Sequence, residues 1–221
     1  MPTVRHIVAN LAAACLVVGC SSDPDGLTGA TDAPPSGDPG GAPTAPPKQP
    51  APPAQAPPPA PTFGEKTLAR ARAWIAAQMP YCGGPNGGTD LICGGTCERT
   101  GAAATPEWDP YRSDCSGFVS WSWGLPPPGH TTATLAPYET DVSDLVAVDD
   151  LQPGDALNSG HHVMLFGGWT DKSAGEATVL QESRCDTNAS EKVATFTVVD
   201  ETTLRISDGR LFRSIRMKGG E

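Results

Sequence analysis

Seven cysteines and four histidines are the side chains of this sequence best suited to covalent or metal chemistry. Cys115 stands out, in the stretch Tyr111-Arg112-Ser113-Asp114-Cys115-Ser116-Gly117-Phe118-Val119-Ser120-Trp121, between two small polar residues and directly ahead of an apolar run. A cysteine there can be half of a disulfide, a buried filler or a nucleophile. The thiolate is the reactive form, and the unsatisfied amides at a helix start favour it. Ser113 or Asp114 can cap such a helix, which puts Cys115 in the first turn; a filler needs neither the Asp before it nor the Ser-Gly after it. Cysteine parity is compatible with a free thiol. Cys15 and Cys20 belong to the apolar start of the chain, while Cys82, Cys93, Cys97 and Cys185 sit in Gly-rich or polar sequence and are expected to pair after export. Those four allow three connectivities, and the sequence selects none. Zinc is the rival chemistry, since Cys93 and Cys97 have ligand-like spacing and His161-His162 could complete a site. There is no second close cysteine pair, so disulfides are preferred and no metal or other cofactor is expected.

The elements that position Cys115 can be read from periodicity. Thr62 and Glu65 have the spacing of a capping box, and Leu68, Ala71, Trp74, Ile75 and Met79 form an apolar stripe at helical spacing that ends before Pro80. A long Gly-rich loop runs from Tyr81 to about Tyr111. The helix opened by Ser113 or Asp114 carries Phe118, Val119, Trp121 or Ser122, and Trp123, and ends at Gly124, before prolines at 126 to 128. The loop that follows includes His130, read as exposed. Leu151 to Leu157 predicts a turn into a strand. Further strands are expected at His162–Trp169, Ala177–Glu182, Val193–Val199 and Leu211–Met217, each short and rich in Val, Thr, Phe or Ile. Helices first and strands afterwards predict α+β, with helices packed on a central antiparallel sheet.

The rest of the chain sets the context. Residues 1–19 combine a short, weakly basic start with about a dozen mostly apolar residues, too few to span a bilayer, and have the layout of a secretory signal. Val17-Val18-Gly19-Cys20 followed by two serines resembles the lipobox of bacterial lipoproteins, which implies lipidation of Cys20 and a membrane anchor on an exported envelope protein, in the outer membrane by the habit of Ser21. Residues 20–62 are dominated by Pro, Ala, Gly, Ser and Thr and cannot bury enough surface to offset their ordering entropy. They read as a tether; about forty residues at roughly 3.1 Å each reach on the order of 100 Å. Residues 63–221 have the size of one domain. The net charge of −10, most of it in that domain, argues against nucleic acid as a partner.

Asp114-Cys115-Ser116-Gly117-Phe118-Val119, Pro153-Gly154-Asp155-Ala156-Leu157 and His162-Val163-Met164-Leu165-Phe166-Gly167-Gly168 together resemble the NlpC-type, papain-like cysteine peptidases of bacterial cell walls. The likeness runs from about Leu68 to Val199. It implies a papain-like α+β fold and hydrolysis of amide bonds in peptidoglycan stem peptides. Carried over by position, Cys115 matches the nucleophile and His162 the general base. The third, orienting residue falls on the next strand, at Gln181 or at Glu182; alternation lets only one of them face His162, and Gln181 is the more natural match. His161 should point away. Asp114, Ser116 and Tyr81 match positions that meet substrate. The sequence departs from the family at Pro80-Tyr81-Cys82-Gly83-Gly84, one residue short, and in the Pro-rich segment after Gly124. Both changes fall where substrate would enter. An amidase or acyl transferase on the same residues, and a wall-binding lipoprotein without turnover, are the alternative readings.

Overall fold

Helix α1 (Phe63–Ala76) begins where its cap dictates: Thr62 Oγ1 accepts from the Glu65 amide, and the Glu65 carboxylate accepts from the Thr62 amide at 2.7 Å. The structure is a computed structural model that describes residues 59–137 and 142–220. The signal segment, Cys15, Cys20 and the Pro-rich tether up to residue 58 lie outside the described residues. Leu68, Ala71 and Trp74 form the buried stripe of α1, with Ile75 half-buried beside them. Met79 is buried too, but it lies beyond the helix end. Among the described residues, no helix is long and apolar enough to cross a membrane.

The Gly-rich loop is held by covalent and buried polar contacts. Cys82 is bonded to Cys97, and Cys93 to Cys185. Arg99 is buried inside the loop, where its guanidinium donates to the carbonyls of Trp108 (2.9 Å) and Tyr111 (2.6 Å) and stands over the Trp74 ring. Helix α2 (Cys115–Trp123) ends at Gly124, whose φ of 73° is the left-handed conformation a glycine adopts without strain. A single turn, α3 (Thr132–Leu135), follows.

Seven strands complete the chain: β1 (Ser143–Leu145), β2 (Ala156–Asn158), β3 (Val163–Asp171), β4 (Glu176–Gln181), β5 (Ser190–Asp200), β6 (Thr203–Ile206) and β7 (Leu211–Met217). All pairings are antiparallel, in the order β1-β7-β2-β3-β4-β5-β6, and β6 also pairs with β7. That last pairing closes β7, β2, β3, β4, β5 and β6 into a six-stranded barrel. β2 covers Arg213–Ile215 on one edge of β7; β6 takes Leu211–Arg213 and β1 takes Ile215–Met217 on the other.

The expected papain-like α+β arrangement, with helices laid on a central antiparallel sheet, is therefore wrong. The chain is mostly strand and forms a closed barrel with few helices. The reason lies in Thr203–Ile206, a four-residue strand that is not among those expected from the sequence. It hydrogen-bonds β5 on one side and β7 on the other, so the sheet keeps no free edge there.

Closure divides the strand residues into two buried sets. Inside the barrel lie Leu157, Met164, Phe166, Ala177, Val179, Phe196, Leu204 and Phe212. On its outer wall Ala156, Val163, Leu165, Leu180 and Ile215 pack with Trp74, Trp108, Phe118 and Trp123. β2, β3, β4 and β7 alternate between the two sets, as the pleat requires, whereas β5 and β6 contribute only Phe196 and Leu204, to the inner one. The disulfides staple this frame unequally, with sequence separations of 15 and 92 residues. Removing the pair Cys93 and Cys185 as alanines should cost about 4.5 kcal/mol, against about 3 kcal/mol for Cys82 and Cys97, by the loop-closure entropy restored to the unfolded chain; urea unfolding of the two double variants measures the order.

Candidate active site

The start of α2 is fixed by a carboxylate. Asp114 is the N-cap: Oδ1 accepts from the Gly117 amide at 2.7 Å and from Ser116 Oγ at 2.8 Å, while Oδ2 accepts from Arg112 Nε at 2.9 Å. Arg112 in turn donates to the carbonyls of Gly129 and His130 and so holds the Pro-rich loop against α2. His130, read as exposed, is half-buried for that reason. The Arg112 carbonyl also passes so close to α2 that a Cβ on residue 117 would stand 2.0 Å from its oxygen. Only glycine fits there.

Cys115 is the one free cysteine among the described residues, and it is buried. Its thiol is pushed up to about 11. Burial is the main cause, and the Asp114 charge adds to it; the amides of Val163, Ser116 and Cys115 itself hydrogen-bond the sulfur and favour the thiolate, but they are outweighed. The contact with the Val163 amide brings the sulfur to the first residue of β3, next along the chain from His162.

His162 occupies the turn between β2 and β3. Ser159 fixes it there, its amide and Oγ both donating to the His162 carbonyl and its Oγ accepting from the His162 amide. The imidazole is buried, stacks edge-on against Phe212 at 6.3 Å and bonds Gln181 Oε1 through Nε2 at 2.9 Å. Burial lowers its pKa below the ordinary 6.5, with the charges of Arg210 and Lys192 adding to the effect; the Gln181 bond acts the other way. Among the described residues no hydrogen bond joins Cys115 to His162. Burial leaves both the thiol and the imidazole neutral at pH 7, and among the described residues no hydrogen bond is made by Nδ1.

Gln181 and Glu182 separate as alternation demands. Gln181 shares the inner row of β4 with Ala177 and Val179 and meets His162. Glu182 turns to the outer wall, fully buried, where Trp74 Nε1 donates to Oε2 at 3.0 Å and Oε1 has no partner. Its carboxyl is pushed up to about 9 by burial, which outweighs the Trp74 bond and the charge of Arg99. It is neutral at pH 7.

Tyr81 is half-buried between two strand-like contacts: its amide donates to the Thr187 carbonyl, and the next residue, Cys82, bridges to Ser113. Burial raises its hydroxyl pKa, and the charges of Cys115, Asp114 and Glu182 add to the rise. His161 is exposed. The zinc reading fails because Cys93 and Cys97 belong to different disulfides. Cys82, Asp90 and Cys97 do cluster, but the two sulfurs are bonded to each other, and one Asp90 oxygen accepts from the amides of Gly83, Ile92 and Cys93.

Reading by motif passed over three residues that shape the site. Arg112 lies inside the quoted stretch, and its charge two positions before the capping Asp was the available signal. Arg99 and Trp74 act from distant sequence, and only the fold brings them to Glu182 and the loop. Comparison of the chain with protein-family models, with curated proteins and with solved structures found no match.

Glu182 makes a testable statement about stability. Its folded pKa is raised, so the native state holds a proton that the unfolded chain releases, and stability falls as pH climbs from about 4.5 towards about 9. Glu182→Gln should remove that slope and leave stability at pH 5 nearly unchanged, as read by urea unfolding at a series of pH values.

Proposed function

We propose that this chain is a thiol hydrolase that cleaves amide bonds of peptides, with Cys115 as nucleophile, His162 as general base and Gln181 as the residue that orients the imidazole. The observation that carries the reading is one free, buried thiol at a helix start, near the Val163 amide, together with a buried imidazole one residue before Val163 whose Nε2 is held by Gln181. A structural domain has no need of that set.

The chemistry follows from the protonation states. Gln181 Oε1 accepts from Nε2–H, which leaves the Nδ1 lone pair as the base. Nδ1 takes the Cys115 proton as the sulfur attacks the carbonyl carbon, and the carbonyl electrons move to oxygen. Backbone amides of the first turn of α2, that of Cys115 among them, would stabilise that oxyanion. Collapse breaks the C–N bond, Nδ1–H protonates the leaving amine, and a thioester remains. Water, deprotonated by Nδ1, then releases the acid and restores the thiol. Because the thiol is neutral at rest, proton transfer accompanies attack rather than preceding it.

The substrate class comes from the resemblance to cell-wall peptidases: stem peptides of peptidoglycan, met by an exported lipoprotein on a long tether. Asp114 is engaged by Arg112, Ser116 and Gly117, so its part is to set the helix start; Tyr81 is the member of the proposed substrate contacts with its hydroxyl uncommitted among the described residues.

Mass spectrometry of peptidoglycan digested with the full chain tests the reading and identifies the bond. Cys115→Ala and His162→Ala should each lower kcat/KM by at least about a thousandfold, while His161→Ala retains activity. Turnover by the Cys115→Ala protein would overturn the assignment. The acidic limb of the kcat/KM profile should lie below pH 6.5, since protonating His162 removes the base and burial lowers its pKa. Gln181→Ala should slow turnover and move that limb further towards acid, because the bond that favours the imidazolium is lost.

A further inference from the structure

The cleft on the inner side of His162 and Gln181 carries a charge opposite to that of the chain. The protein has 25 Asp and Glu against 15 Lys and Arg, yet this cleft of about 620 Å³ is lined by Arg184, Lys192 and Arg210 and by no carboxylate. Strand register explains how the cations come together. Gln181 pairs with Ser190 and Val179 with Lys192, so Lys192 stands on the inner row of β5 that continues into the buried Phe196. Arg184 lies three residues beyond Gln181, in the segment stapled by the Cys93–Cys185 disulfide. Arg210 precedes β7 with its guanidinium 5.7 Å from the Phe212 ring, the same ring that packs against His162.

Their partners differ. Arg210 is paired with Asp208 at 2.7 Å, whereas Arg184 and Lys192 make no ion pair among the described residues. Two unpaired cations beside an apolar floor that includes Met164 and Ile206 suit an anionic group on an otherwise apolar or peptidic ligand. The cleft that Tyr81 lines is the reverse, with Asp90, Glu98 and Asp186 and no Lys or Arg. Of these two clefts, an acidic ligand is attracted to the first and repelled by the second.

We infer that this cleft is a carboxylate subsite, in which Arg184 and Lys192 hold an acidic group of the peptide on the imidazole side of the bond that is cut. The inference rests on the peptidase reading for what the remainder of the ligand is.

The experiment uses the full chain carrying Cys115→Ala, so that binding is measured without turnover. The probes are a synthetic stem peptide with free carboxylates and the same peptide with those carboxylates converted to carboxamides, followed by calorimetry. The free-acid peptide should bind at least about tenfold more tightly, as one charge-assisted contact supplies, and more weakly as salt rises. Adding Arg184→Ala and Lys192→Ala should abolish the preference, and Lys192→Glu should reverse it. Both positions are exposed, and Lys192→Arg should keep the preference, which separates charge from misfolding. Equal affinity for the two probes, or a preference that survives the double variant, overturns the subsite. Discrimination by the Cys115→Ala chain together with no hydrolysis of either probe by the unaltered chain leaves the subsite standing and sinks the peptidase reading.

Discussion

The pairing of β3 with β4, with both faces of both strands buried, is the constraint on which the site depends. Leu165 opposite Leu180 and Phe166 opposite Val179 set the register, and apolar contacts on each side prevent a slip, since a shift of one residue would exchange the two cores. The same register sends Gln181 inward to His162 and Glu182 outward to Trp74. Two adjacent polar residues thereby receive different chemistry. One orients an imidazole, and the other is a neutral acid in an aromatic wall.

Burial sets the electrostatics of the site. The thiol, the imidazole and the Glu182 carboxyl are all pushed towards their neutral forms, because taking a charge out of water costs more than the nearby amides or guanidinium return. Charge is left to the groups around them, one of which, Asp114, is itself buried. Asp114 is held by Arg112 and caps α2, and Lys192 and Arg210 stand within range of the imidazole without touching it.

The elements were legible in proportion to their local signals. The capping box at Thr62 and Glu65, the stripe through Trp74 and the stop at Gly124 needed only near neighbours, and α1 and α2 start where they predict, although α1 ends at Ala76 and leaves Met79 outside it. Leu211–Met217 matches β7 residue for residue, and three other strands shift by one to three residues at their ends. Thr203–Ile206 was hidden because its value is wholly in its partners. Its Thr-Leu-Arg-Ile alternation is only four residues long and lies among polar neighbours, yet it joins β5 to β7 and turns an expected open sheet into a barrel. The disulfide pairing was hidden for a similar reason, as equal spacing arguments served all three connectivities until the loop and the segment after β4 were brought together.

By itself the sequence determined the local events: where helices start to within a residue, which residues alternate, and that a capping Ser113 or Asp114 precedes Cys115, with a glycine two residues on; the structure chose Asp114. Such features depend on contacts within a few residues, so they survive being read in one dimension. Tertiary structure decided the rest. It chose Gln181 over Glu182 as the partner of His162, set the burial that keeps the thiol neutral, closed the barrel through β6, and gathered Arg184, Lys192 and Arg210 beside the imidazole in an acidic chain. Each of these is a relation between residues far apart in sequence, and its energy exists only once the barrel places them on one face and excludes water from it.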